Sequence, residues 1–255
     1  MKSIKEPKGF VLYEGKSLYK ESENDIVVIL QTGNSANKKT GNMMQVWIML
    51  KDIDPVEANK LGLDNAICGI CTLRGIANND PERKEAINRT CYVNFQTVKT
   101  IYRSYKKGNY PKIDPVDASK MIKYNKIWCN RGLRFGAYGD PALIPTHVTN
   151  GLRSHLPKSM GITAYSHQAN YKHANIDPCF MLSCETLDQA KTQWDQGNRT
   201  ARTIKSVDEL QENEMFCPAT DQGGSRLQCF QCNLCNAERN KKNIAWLPHG
   251  KQHAI

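Results

Sequence analysis

Four cysteines in the last quarter of the chain have the spacing of metal ligands. Cys217 is followed by Cys229, Cys232 and Cys235, so that the last three form a Cys-x2-Cys-x2-Cys run. Each Cys-x2-Cys step brings two sulfurs onto one ion from a tight turn, and four thiolates complete a closed tetrahedral Zn²⁺ shell or hold an iron–sulfur cluster. The sequence predicts a Cys-rich metal-binding segment over about residues 215–237. Zinc is the expected metal, and a 4Fe-4S cluster is the alternative.

A second group of three cysteines lies far upstream. Cys68 and Cys71 form another Cys-x2-Cys step, and Cys91 follows them. Three thiols without an obvious fourth ligand leave one coordination position open, and an open position is where metal chemistry takes place. The sequence leaves open whether these three form a second site or join the first. It also allows His249 or His253 to replace a thiol in the C-terminal shell.

Disulfide bonds, or burial as small apolar residues, are the alternative roles for these cysteines. The segment from Met1 to Glu6 has no apolar core of a signal peptide, and nowhere do the ~18 apolar residues of a membrane span run together. We therefore expect a cytoplasmic protein with no membrane partner, in which reduced, clustered thiols indicate metal. Cys129, Cys179 and Cys184 stand singly in apolar surroundings and are predicted to be core residues.

The charge of the chain favours an acidic partner. The formal net charge is +10 and the isoelectric point is near 9.1, and nucleic acid is the usual partner of such a protein. Cations and aromatic rings alternate between residues 97 and 112, a pattern that suits phosphate contacts and base stacking on a strand. The predicted nucleic-acid-binding residues are Lys99, Arg103, Tyr105, Lys106 and Lys107. The alternative is a solvated helix face whose tyrosines pack inward.

The elements that position these groups follow from the apolar pattern. Residues 25–33 and 43–50 are predicted strands, and Asp54-Pro55 begins a short helix. From Lys126 onward, short apolar runs alternate with amphipathic stretches, which indicates repeated βα units. The later predicted strands are 133–138, 161–166, 179–184, 200–204 and 243–247, with helices over 145–156 and 186–196. We predict a single α/β domain over residues 1–255, with a TIM-barrel-like parallel sheet.

Three residues stand where a predicted strand gives way to a loop, the position of active sites in parallel α/β folds. Asp140 is the first candidate for a catalytic acid, base or nucleophile, and its alternative role is to cap the following turn. His167 can titrate near neutrality, although a histidine of this kind can also be structural. Glu185 competes with Asp140 as acid or base, and could instead favour the first turn of a helix.

The order and spacing of several motifs resemble a family of bacteriophage proteins of the "gene product 88" type. The likeness covers roughly residues 30–237. The motifs that carry it are Ala66-Ile67-Cys68-Gly69-Ile70-Cys71, Cys91-Tyr92-Val93, Leu133-Arg134-Phe135-Gly136-Ala137-Tyr138-Gly139-Asp140, Phe216-Cys217-Pro218-Ala219 and Cys229-x2-Cys232-x2-Cys235. This resemblance implies a phage origin and a metal site, and it implies no particular activity.

A more distant resemblance is to the phage DpdA proteins, relatives of tRNA-guanine transglycosylases that exchange guanine in DNA for a 7-deazaguanine base. Those enzymes are zinc-bearing TIM barrels in which a Cys-x-Cys-x2-Cys run and a later His bind zinc and aspartates serve as nucleophile and base. The resemblance implies zinc on the C-terminal cysteines, with His249 available, and Asp140 as nucleophile. The Asp-Ser-Gly-Gly-Phe-Gln type segment of those enzymes is absent here, and the Cys68, Cys71 and Cys91 group has no counterpart in them.

Three functions are thus open at the level of sequence. The first is a phage DNA-guanine transglycosylase that works in the host cytoplasm, with DNA and a 7-deazaguanine small molecule as partners. The second is an iron–sulfur enzyme, in which Cys68, Cys71 and Cys91 hold a cluster whose open iron binds a cofactor such as S-adenosylmethionine. The third is a zinc-dependent nucleic-acid-binding protein without catalysis. We expect the first, because it agrees with the positive charge, the reduced thiols and the βα repeat.

Overall fold

The computed structural model describes residues 7–34, 37–220, 224, 227–239 and 241–248. The strands are β1 (Gly9–Lys16), β2 (Asp25–Gln31), β3 (Met43–Leu50), β4 (Gly132–Tyr138), β5 (Ile162–Thr163), β6 (Tyr165–Ser166), β7 (Met181–Cys184), β8 (Thr200–Thr203), β9 (Glu214–Phe216) and β10 (Asn243–Trp246). The α-helices are α1 (Pro55–Lys60), α2 (Asn65–Cys68), α3 (Phe95–Lys106), α4 (Pro115–Tyr124), α5 (Thr146–Arg153), α6 (Leu187–Asp195) and α7 (Cys229–Cys232).

The strands form two five-stranded sheets. The first has the order β1-β2-β3-β4-β5, in which β1, β2 and β3 are antiparallel neighbours and β3, β4 and β5 are parallel. The second, ordered β6-β7-β8-β10-β9, is parallel throughout. Only Ala164 separates β5 from β6, so one stretch of chain from Ile162 to Ser166 contributes to both sheets.

Burial on both faces explains the central strands. All eight residues of β3 are buried, and so are the five central residues of β2, because strands covered on both sides consist of nearly continuous apolar residues. Asp54 caps α1 by accepting a hydrogen bond from the backbone N–H of Val56 at 2.9 Å, with Pro55 in the first turn. Local sequence and tertiary burial therefore specify the same elements.

The predicted α/β class is confirmed, and each predicted strand and helix appears within a few residues of its expected bounds. The TIM-barrel prediction is not confirmed. Three antiparallel-paired strands begin the first sheet, and in the described part of the chain no pairing of β1 with β9 closes a barrel. Two strands were not predicted: β1, which has glycines at two positions, and the three-residue β9. Within the described ranges, no helix is long and apolar enough to cross a membrane.

Ile29 offers a test of the first sheet. Its side chain is fully buried in β2, so Ile29→Ala should lower the free energy of unfolding by about 2–5 kcal/mol through lost burial and a residual cavity. Ile127, which is 64 % exposed, is the matched control, and Ile127→Ala should change stability by no more than about 0.5 kcal/mol. Urea denaturation of both variants measures the difference, and equal effects would contradict the burial assigned to β2.

Candidate functional site

The three predicted catalytic residues lie together, each one or two positions beyond the carboxyl end of a parallel strand. Asp140 follows β4, His167 follows β6 and Glu185 follows β7. The backbone N–H of His167 donates to Asp140 Oδ2 at 2.8 Å, and the charge of Glu185 acts on the His167 imidazole. The structure therefore brings the predicted trio to the edge of the sheet where ligands bind in parallel α/β proteins.

Asp140 is buried, and its carboxylate is fully engaged. Oδ1 accepts from the backbone N–H of Ala142 at 3.0 Å, which is the capping role weighed above, and Oδ2 accepts from Gln168 Nε2 at 3.1 Å as well as from His167. Burial raises the pKa of Asp140 and lowers the pKa of His167, while the opposite charge of each group counters the other's shift. Three N–H donors therefore fix the position of the Asp140 carboxylate.

Gln168 joins this carboxylate to the first cysteine group. Its Nε2 also donates to the backbone carbonyl of Cys68 at 2.9 Å, and its Oε1 accepts from the N–H of Ile70 at 3.1 Å. Gly69 lies between these two contacts with φ +52°, and a side chain there would collide with the Gln168 amide. The Cys-x2-Cys turn from Cys68 to Cys71 is therefore held against the strand ends by one buried amide.

Cys68, Cys71 and Cys91 form a group of their own in the structure. The Cys71 N–H donates to the Cys68 carbonyl at 3.0 Å and the Cys91 N–H to the Leu73 carbonyl at 2.9 Å. Beyond the effect of burial, negative charge on Cys91 and on the carboxylates of Asp140 and Glu185 raises the pKa of Cys71. Burial raises the pKa of Cys68 and of Cys71 well above the usual range of a thiol, and the neighbouring negative charges add to this shift. The backbone N–H of Leu73 donates to the Cys71 sulfur and opposes it. A bound cation would reverse this preference, because coordination deprotonates a thiol.

The C-terminal cysteines form a second, separate group. Cys217, Cys229, Cys232 and Cys235 line one cavity of about 10 Å³, room for roughly a single atom-sized occupant. Three backbone hydrogen bonds fix the group. Cys217 N–H donates to Ala245 O at 2.8 Å, Cys229 N–H to Lys39 O at 3.0 Å and Leu234 N–H to the Cys232 sulfur. The segment is thereby tied to β10 and to the loop before β3.

The charges around the four-cysteine group fit a thiolate-bound metal. Against the effect of burial, the positive charges of Lys39 and Arg134 lower the pKa of the Cys229 thiol. Burial lowers the pKa of Arg199, and negative charge on Cys235 in turn opposes this shift. In the part of the chain that the structure describes, none of these three cations pairs with a carboxylate. Four thiolates around a divalent ion leave excess negative charge, which neighbouring cations stabilise. Burial raises the pKa of Cys235 to about 12 and that of Cys229 to about 11, so the thiols themselves carry little charge near neutral pH.

Among the described residues, no three His, Cys, Asp or Glu side chains stand in an arrangement that could hold an ion as they are. The donor chemistry nevertheless fits both groups, since four thiols line one cavity, and backbone hydrogen bonds from Cys71 to Cys68 and from Cys91 to Leu73 hold the other three cysteines in one region. His249 and His253, the predicted substitutes for a thiol, lie outside the described residues.

The predicted nucleic-acid-binding residues lie along α3 and just after it. Arg103, Lys106 and Lys107 are exposed, and Lys99 is half-buried. Lys106 pairs with Asp52 at 3.1 Å, and the Tyr105 hydroxyl bonds to Glu14. Tyr102 and Tyr110 are buried, so the tyrosines of this segment follow the alternative in which they pack inward.

Four residues of the site were not among the predicted ones. Gln168 joins the Asp140 carboxylate to the Cys68–Cys71 turn. Tyr138 and Arg134 lie on β4, and Tyr165 bonds to Cys235. Tyr138 and Tyr165 could have been found by their positions beside the Gly139-Asp140 and Ser166-His167 strand ends. Gln168 likewise stands at the Ser166-His167-Gln168 strand end, but its role depends on the turn that folds against it.

Comparisons with known proteins add no family to this description: no family model, no curated protein and no solved structure matches the chain.

Gln168 provides the test of this architecture. Gln168→Ala leaves the Ile70 N–H and the Cys68 carbonyl without their partner, at a cost of about 1–3 kcal/mol for each buried group. We expect lower stability to urea and faster alkylation of Cys68 and Cys71 by iodoacetamide, followed by mass spectrometry. Gln193, buried in α6 and bonded to Asn198, is the control, and Gln193→Ala should leave alkylation at these cysteines unchanged.

Proposed function

We propose that the protein is a metal-dependent enzyme whose reactive centre is the group of Cys68, Cys71 and Cys91. The observation that carries this proposal is that two strand ends are bonded to the Cys68–Cys71 turn and its neighbour: Gln168, next to His167, bonds to the Cys68 carbonyl, and Glu185 receives the hydroxyl of Thr72, the residue after Cys71. Three thiolates leave a coordination position free for a substrate or cofactor, whereas four thiolates saturate a tetrahedral ion. Metal bound there would supply a Lewis acid, or redox chemistry if it is an iron–sulfur cluster.

His167 and Glu185 are the proton-transfer groups in this proposal. Burial holds the His167 imidazole toward its neutral form, in which one ring nitrogen can accept a proton. Glu185 is exposed and receives a hydrogen bond from the Thr72 hydroxyl at 2.6 Å, so its carboxylate is oriented while it stays accessible. Asp140 positions the His167 backbone and the Gln168 amide rather than attacking a substrate.

The four-cysteine group is the second centre of the proposal. Its cavity admits roughly one atom, its four thiols come from two separated parts of the chain, and a bound zinc would lock α7 onto the second sheet. A 4Fe-4S cluster is the alternative occupant of the three-cysteine group, and colour separates it from zinc.

Metal content tests the two centres separately. Protein purified without oxygen should carry metal at both groups. Cys91→Ser should remove the metal of the three-cysteine group, and Cys235→Ser should remove that of the four-cysteine group. Cys129, half-buried and outside both groups, is the control, and Cys129→Ser should keep the full complement. Elemental analysis with a UV-visible spectrum gives the answer. Absorption near ~400 nm with several irons indicates clusters. Wild-type metal content in Cys91→Ser would refute the reactive centre.

DNA-guanine transglycosylation, with exchange of guanine for a 7-deazaguanine base, is the second candidate function. The observation that favours it is the net charge of +10, together with a carboxylate, a histidine and a second carboxylate in one cluster. A base within a duplex would have to be flipped out, at a cost of a few kcal/mol. In this candidate DNA contacts Arg103, Lys106 and Lys107, and the reaction takes place in the cytoplasm of a phage-infected host.

Salt-dependent binding and base release test this second candidate. Arg103→Ala and Lys107→Ala should each weaken binding to duplex DNA and reduce the slope of log K against log salt by about 1. Lys123→Ala, at an exposed position on α4, is the control and should change neither the affinity nor the slope. With a 7-deazaguanine base supplied, wild-type protein should release labelled guanine from DNA, and His167→Gln should bind DNA but release none. Guanine release equal in both proteins would exclude His167 from the reaction.

A further inference from the structure

The hydroxyl of Tyr138 is buried without a hydrogen-bond partner. Tyr138 is the last residue of β4 and only 4 % exposed, and its oxygen is among the few buried side-chain polar atoms of the described residues that lack any partner. Leaving a hydroxyl unpaired in an apolar interior costs roughly 1–3 kcal/mol by protein mutational data. A buried group of this kind points to an acceptor that the protein chain alone does not provide.

The surroundings of Tyr138 connect it to the three-cysteine group, since its ring packs against Phe95, four residues after Cys91. The next residue, Gly139, has φ +77° and would meet Ile48 at 2.7 Å if it carried a Cβ, while the Asp140 N–H donates to Ile67 O at 2.6 Å. The end of β4 is thus joined to the residue before Cys68. Besides burial, which raises the pKa of the Tyr138 hydroxyl, four ionisable neighbours shift this pKa by their charges: Cys68, Asp64 and Cys91 raise it, and Arg89 lowers it.

Two of these four neighbours do not receive the hydroxyl. The Asp64 carboxylate accepts from Asn59 Nδ2 and Arg74 Nη1, both at 2.7 Å, but not from Tyr138, and Arg89 is itself a donor, bonded to Val93 O at 2.7 Å. The sulfurs of Cys68 and Cys91 remain. A neutral thiol is a weak acceptor, whereas a metal-bound thiolate or an inorganic sulfide carries the negative charge that strengthens the bond.

The other cysteine group shows the same pairing already made. Tyr165, on β6, bonds through its hydroxyl to Cys235, and the donated hydrogen bond lowers the pKa of that thiol against the effect of burial. A tyrosine hydroxyl thus accompanies each cysteine group, and of these two only that of Tyr138 is without a hydrogen-bond partner.

We propose that the Tyr138 hydroxyl donates a hydrogen bond to an anionic sulfur of the loaded three-cysteine centre, either a Cys68 or Cys91 thiolate or a cluster sulfide. This inference rests on the proposed reactive centre and adds a positioning residue to it. Such outer contacts typically contribute ten- to a hundredfold in metal affinity.

Metal release from the protein as purified tests the proposal. Phe at position 138 keeps the ring, which packs edge-on against Phe95 with centroids 5.9 Å apart, so Tyr138→Phe removes little besides the hydroxyl. With excess chelator, Tyr138→Phe should lose the metal of the three-cysteine centre about 10–100-fold faster and keep that of the four-cysteine centre. Tyr165→Phe should do the opposite. Tyr110→Phe, a buried tyrosine bonded to Ser104, should change neither.

A second measurement separates hydrogen bonding from packing. In metal-loaded protein, Tyr138→Phe should lower the unfolding midpoint, because it removes a bond. In chelator-treated protein the same substitution should leave the midpoint unchanged or raise it, because it removes an unpaired hydroxyl. A purely structural tyrosine would shift both midpoints in one direction.

These outcomes test the role of Tyr138 separately from the three-cysteine centre. If Cys91→Ser removes metal but Tyr138→Phe releases it at the wild-type rate, the role of Tyr138 is overturned and the reactive centre stands. If Cys91→Ser holds as much metal as wild type, both are overturned.

Discussion

The buried carboxylate of Asp140 is the constraint on which the candidate site depends. It accepts N–H donors from three places in the chain, namely Ala142, His167 and the side chain of Gln168, and Gln168 in turn holds the backbone on both sides of Gly69. Through this network the ends of β4 and β6 and the Cys68–Cys71 turn form one unit. Loss of the carboxylate would leave buried donors unpaired at each of these points, so the geometry of the histidine and of the thiols is set together.

The two cysteine groups differ in the charges that surround them, and this difference divides their roles. Lys39, Arg134 and Arg199 face the four-cysteine group, so an anionic thiolate centre is stabilised there without further ligands. Carboxylates of Asp64, Asp140 and Glu185 surround the three-cysteine group. There, added negative charge is unfavourable and a cation is attracted. The first environment suits a closed, permanent centre, and the second suits a centre that exchanges a ligand or a proton.

Local pattern explains which parts of this arrangement could be predicted. The strand ends that carry Asp140, His167 and Glu185 follow from apolar runs of the right length, and the rule for parallel strands brings those residues to one edge. Pairing across the sheet does not follow from such runs, which is why the antiparallel β1 and the open strand order were missed. The contacts of Gln168 and Tyr138 depend on how α2 folds back onto β4 and β6, and no single stretch of sequence contains that information.

One short stretch of chain also connects the two groups. Thr163 on β5 lines the four-cysteine cavity, and Tyr165 on β6 bonds to Cys235. His167 and Gln168 follow directly, about 13 Å along an extended chain from Thr163 to His167, and Gln168 holds the Cys68–Cys71 turn. Arg134, paired with Thr163 in the sheet, acts on Cys229 and donates to the Tyr92 hydroxyl next to Cys91 at 3.2 Å. Because Arg134 and Thr163 are buried, charges on the two sides of this pair are weakly screened, and a change of charge at either centre alters the potential at the other.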